Sequence, residues 1–163
     1  MSVKRSSSPT GRRNRGFSLI EVLIALAVLA VGLLGVALMQ TLNLRYTQAA
    51  DQRSKAVNLA NELTDMVRAG RSQIGAYTAI TEASFASVTV PTNGCVADAS
   101  VVAAKNIERW QCEVREQLGA DAVADVTIPN PGQLQVDLRW GELVGSENPN
   151  GLETRSVRLV TQL

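Results

Sequence analysis

The sequence contains no histidine. That excludes Ser-His-Asp and Cys-His nucleophilic machinery, histidine general bases and histidine-ligated metal sites. Cysteine is almost absent too. Cys95 and Cys112 are too few for a zinc site without histidine, and a thiol nucleophile would lack its usual base. Aromatic residues are only 4% of the chain, which argues against a platform for stacking single-stranded nucleic acid. There is no Gly-x-Ser-x-Gly elbow, and the carboxylates are scattered without the spacing of a catalytic pair. No catalytic residue, cofactor or metal is expected.

What the sequence does contain is one long apolar run, Gly16 to Met39, in which Glu21 is the single charged residue. As a helix, residues 17–39 would reach roughly 34 Å, enough to cross the hydrocarbon of a bilayer. A carboxylate inside such a run costs about 2.5–3.5 kcal/mol on insertion scales, so Glu21 needs a reason beyond anchoring. Position at the membrane interface is one such reason. Before the run stand Lys4, Arg5, Arg12, Arg13 and Arg15, with no acid; Arg45 and Arg53 follow it. This imbalance places the N-terminus in the cytoplasm. An ordinary secretory signal has an apolar core of about 7–15 residues. This run is longer and carries an acid, although Gly35-Val36-Ala37 has the small-residue spacing of a cleavage site.

A basic leader, then Gly16, then Phe17-Ser18-Leu19-Ile20-Glu21 opening the apolar run, resembles the prepilin leader of the type IV pilin superfamily. The resemblance implies that a membrane-embedded prepilin peptidase cuts after Gly16 and methylates the new N-terminus, Phe17. It also implies a role for Glu21 in assembly, meeting the N-terminal amine of a neighbouring subunit. An apolar setting strengthens that pairing and makes either charge costly alone. The stretch from Gly16 to Leu26, followed by Val31-Gly32-Leu33-Leu34-Gly35, is similar to the minor pilins of the type IV pilus modification protein PilV family. The expected partners are then the prepilin peptidase, the major pilin, other minor pilins and the inner membrane. The chain would sit there as a single-pass protein with a periplasmic head before moving to a cell-surface pilus. A type II secretion pseudopilin, which shares the leader, is the nearest alternative; a membrane-anchored periplasmic enzyme and a DNA-uptake pilin are further ones.

On this reading residues 1–16 are a cleaved leader, 17–39 the transmembrane and filament-core helix, 40–70 its amphipathic continuation and 71–163 the head. The leader holds 5 of the 16 basic residues and none of the 15 acids, so the mature chain has 11 bases against 15 acids, a net of −4. An acidic product argues against binding a nucleic-acid backbone. Leu42, Tyr46, Ala49, Ala56, Ala60, Leu63 and Val67 form a helical stripe, with Gly70 as its stop. Residues 71–97 show no sustained period and read as a loop with a short strand at Ser87 to Val90. A second helix is expected over Asp98 to Leu118, capped by Asp98, ended by Gly119, with Ala99, Ala103, Ile107, Trp110, Val114 and Leu118 inward. Lys105, Glu108, Arg109 and Glu116 read as its solvated face.

Three strands finish the chain: Val123 to Ile128, Leu134 to Trp140 after the Pro129-Asn130-Pro131-Gly132 turn, and Val157 to Leu163 after a polar loop at Gly141 to Gly151. The fold class is α+β, a type IV pilin-like fold: a long N-terminal helix against a small antiparallel sheet, with a second short helix. Cys112 points roughly 170° from the centre of the second helix's apolar stripe. A thiol serving as a core hydrophobe belongs on that stripe, whereas a disulfide to Cys95 in the preceding loop does not. In an oxidising compartment the pair is a disulfide candidate.

Overall fold

The computed structural model describes residues 16–96, 102–143 and 152–163. The expected leader, the Asp98 cap, Ala99 and most of the loop before the last strand lie outside them. The chain divides at Leu44/Arg45 into two units. Helix α1 (Leu19–Ala69) begins in the first unit and ends in the second.

In the first unit α1 is apolar from Val22 to Met39 apart from its glycines, with Glu21 before this run and Gln40, Thr41 and Asn43 after it, and its side chains from Leu19 to Leu44 are all exposed. Leu, Val, Ala and Ile dominate, with Gly32 and Gly35 the main helix-weakening residues. A Cβ placed on either glycine would meet nothing within 4 Å, so no contact within the chain explains them.

The second unit is built on the part of α1 beyond Arg45. Burial begins at Ala56 and continues through Leu59, Ala60, Leu63, Thr64 and Val67. This corrects the expected stripe at its start: Leu42 and Tyr46 are exposed, at 46% and 73%. Leu59 and Thr64 join it lower down. Thr64 tolerates burial because its hydroxyl donates to Ala60 O at 2.9 Å.

After Gly70 the connector coils through a 3₁₀ turn at Arg71–Gln73, α2 (Ile74–Tyr77) and a second 3₁₀ turn at Glu82–Phe85. Tyr77, Ile80 and Phe85 are buried from it. No strand forms at Ser87 to Val90. The Val88 N–H turns back to Phe85 O, and Arg115 takes the Val88 carbonyl, so neither group is free for a ladder.

Helix α3 (Ala103–Leu118) starts later than Asp98. Val102 is extended (φ −90°, ψ 117°), and the Ala103 N–H is received by Gln73 Oε1 from the connector. Trp110, Gln111, Val114 and Leu118 face inward from α3. The helix ends at Gly119, whose φ of 114° a side chain would resist. Strands β1 (Val123–Thr127), β2 (Gln133–Leu143) and β3 (Leu152–Gln162) form one antiparallel sheet in the order β1-β2-β3. β2 and β3 run longer than expected, taking in Gly141 to Leu143 and Leu152 to Ser156, because the register pairs Glu142 with Glu153 and carries Arg155 between them. Ala124, Val126, Leu134, Val136, Leu138 and Trp140 on one face of the sheet complete the core with α1 and α3.

Candidate functional site

The candidate site divides between the two units. In the first, Gly16, Phe17 and Ser18 precede the helix, and Ser18 O accepts the N–H groups of Glu21 (3.0 Å) and Val22 (3.3 Å). Phe17 is 83% exposed. Glu21 lies in the first turn of α1, exposed, on a helix long and apolar enough to cross a bilayer. It stands four positions after Phe17. It is the single carboxylate between Phe17 and Ala50.

In the second unit, Cys95 and Cys112 are joined by a disulfide, with their Cα atoms 5.8 Å apart. Cys112 is half-buried and is not among the inward-facing residues of α3. Gly94 makes the approach feasible. Its φ is 80°, and a Cβ there would stand 2.9 Å from Glu116 Oε1 on α3. Gly94 N–H also closes a turn onto Pro91 O at 3.0 Å.

Two charged clusters tie the head together, and sequence reasoning missed both. Arg109, expected on a solvated face, bridges Glu62 of α1 (2.9 Å) and Glu113 of α3 (2.8 Å). Burial pushes the Arg109 guanidinium's pKa down, but Glu113 and then Glu62 outweigh it and raise it overall. Burial raises the Glu113 carboxyl above the usual glutamate range, and the like charge of Glu62 raises it further; Arg109 offsets only part of this. The spacing of Arg109 and Glu113 was visible as an i, i+4 pair, whereas the partner on α1 was not. The second cluster is Arg139 with Asp125 and Glu82, which also fixes the connector through Glu82 N–H to Asp125 Oδ1 (3.1 Å).

These arrangements are structural in character. Among the described residues, no group of three His, Cys, Asp or Glu side chains could hold a metal ion. A shallow groove along α1, lined by Ala50, Arg53, Ser54, Val57 and Asn58, contains a hydroxyl and a cation but no base for that hydroxyl.

Residues 11–37 match the family model of the prokaryotic N-terminal methylation motif, and residues 38–118 match that of Type IV pilin Tt1218. No curated protein and no solved structure matches the chain.

Proposed function

The chain belongs to the type IV pilin superfamily, and on that premise we propose that it is a minor pilin of the type IV pilus modification kind. A prepilin peptidase cuts it between Gly16 and Phe17 and methylates Phe17. Before assembly it spans the inner membrane once, with its N-terminus in the cytoplasm and its head in the periplasm. It then joins the pilus with the major pilin and other minor pilins, as part of the set that primes the filament.

The observation that carries this reading is Glu21. It is a solitary acid four positions after Phe17, on the stretch of α1 from Leu19 to Leu44 that is exposed around its whole circumference. Such a helix buries its surface either in lipid or among helices like itself. Only the second gives Glu21 a cation in apolar surroundings, where an unpaired charge is strongly unfavourable. A type II secretion pseudopilin would use the same leader and stem. The Val31-Gly32-Leu33-Leu34-Gly35 continuation supports the pilus assignment instead.

The test is Glu21→Ala in cells that assemble filaments. The variant should still be cut after Gly16, because the peptidase acts on the membrane-inserted precursor. Its recovery in sheared filaments should fall about tenfold or more, the loss of one well-placed charge pair. Recovery at the wild-type level would show that Glu21 has no part in assembly.

A further inference from the structure

Helix α1 changes character where its apolar run stops. Met39 is followed by Gln40, Thr41 and Asn43, and then by Arg45 and Tyr46, the first cation and the first aromatic residue after Phe17. Both side chains are exposed. Tyr46 keeps 73% of its surface open, so its ring finds little to pack on within the chain.

Arg45 also lacks a counter-charge. No acid stands between Glu21 and Asp51, and the positions one turn away are Thr41, Leu42, Gln48 and Ala49. Among the described residues no carboxylate lies within ion-pair distance of it. The next bases along α1 are placed differently. Lys55 is paired with Asp51 at 2.7 Å. Arg53 has only Ala49, Ala50, Ala56 and Val57 one turn away, but it stands eight positions beyond Arg45, about 12 Å further along the helix.

The end of an apolar span is where a bilayer presents its own charge. Phosphates lie in a layer about 5–7 Å deep outside the hydrocarbon. In an α-helix the Cα–Cβ bonds tilt toward the N-terminus, so side chains that follow a span lean back toward the bilayer. Arginine lays its stem along apolar surface and keeps its head at the polar layer, and tyrosine places its ring there with the hydroxyl in water.

We propose that Arg45 and Tyr46 form a collar for phospholipid headgroups: the Arg45 guanidinium holds a lipid phosphate of the periplasmic leaflet and the Tyr46 ring lies at the glycerol level, fixing the depth of the stem before assembly. This rests on the single-span reading above. The guanidinium fork matches two phosphate oxygens. Lipid phosphate surrounds the helix at the height where the run ends, whereas a carboxylate from another subunit would account for Arg45 but not for the bare ring beside it. Arg53 is too far along the helix to share the layer.

The mature chain with isotope-labelled arginine, in vesicles of phosphatidylethanolamine and phosphatidylglycerol, tests this by solid-state NMR. Lipid phosphorus should dephase the guanidinium carbon signal that is lost in Arg45→Gln, and should leave untouched the one that is lost in Arg53→Gln. Tyr46 ring protons should show cross-peaks to headgroup and glycerol protons and none to the acyl methyl ends. An Arg45 carbon untouched by phosphorus overturns the proposal. So does an Arg53 carbon dephased as strongly, which would show a general attraction of bases to the surface. Arg45 close to a carboxyl carbon in filaments, but never to phosphorus in vesicles, gives the residue to a neighbouring subunit and overturns it too. If Arg45→Gln fails to insert, the Tyr46 cross-peaks of the wild type decide. Free exchange of the Val22 to Met39 amides in the vesicles would sink the single-span reading and this proposal with it, whereas protected amides with Arg45 away from phosphorus sink the proposal alone.

Discussion

Trp110 is the residue on which the head turns. It is fully buried on α3, donates its indole N–H to Leu59 O of α1 at 2.9 Å, and meets Phe85 of the connector edge-on at 6.4 Å between ring centres. One side chain therefore holds three segments together. Trp110→Phe should cost about 1–2 kcal/mol, one hydrogen bond plus part of the ring's contact area, read as a lower melting temperature of the mature chain in micelles. Glu113 makes a prediction of the opposite kind. Its carboxyl titrates above the usual glutamate range in the folded state, so the folded protein binds that proton more tightly than the unfolded chain. Stability from this group is fully present below the ordinary glutamate pKa and is lost as pH rises through the raised one. Relative to Glu113→Gln, the wild type should lose stability as pH rises from that ordinary value through the raised one. A difference that stays constant with pH would contradict this account of the cluster with Arg109 and Glu62.

At the scale of elements, the disulfide decides how firmly the connector is held to α3. The bond spans a sequence separation of 17 residues, and closing a loop of that size stabilises a fold by about 3 kcal/mol in the chain-entropy model. Cys112→Ser should lose stability of that order, and protease should then cut first near Pro91 to Val96, with a reductant reproducing both effects in the wild type. This bond was legible because Cys112 fell on the wrong face of a helix whose apolar stripe was clear. The alternation of Leu134, Val136, Leu138 and Trp140 likewise announced β2, since one face of the sheet is buried and the other is not. The connector was illegible for a physical reason. Its turns are too short to show a period, and side chains from elsewhere satisfy them, Gln111 on Ser84 (2.7 Å) and Arg115 on Val88 O. The start of α3 at Ala103 is hidden for the same reason: Gln73, distant in sequence, accepts the Ala103 N–H. Strand ends were shortened because Glu142, Glu153 and Arg155 look like loop until the register sets them beside one another.

At the scale of the whole molecule, the first unit buries none of its large apolar side chains and the second hides a full core. Every large apolar side chain from Phe17 to Leu44 is exposed, whereas Trp110, Leu63, Leu134 and Leu138 are sealed from solvent. Gly16, Phe17 and Glu21 rest on sequence spacing, and the structure adds that all three are exposed and that α1 starts at Leu19. The clusters around Arg109 and Arg139 could not be read from sequence, since each joins segments far apart in the chain. An exposed apolar stem bearing one acid makes sense for a subunit that is trimmed and then packed among others. The most direct test is the intact mass of the protein recovered from sheared filaments. The account predicts a chain that begins at Phe17, lighter by residues 1–16 and heavier by one methyl group. A chain that keeps Lys4 to Arg15 and is found only as a lone membrane monomer would contradict it.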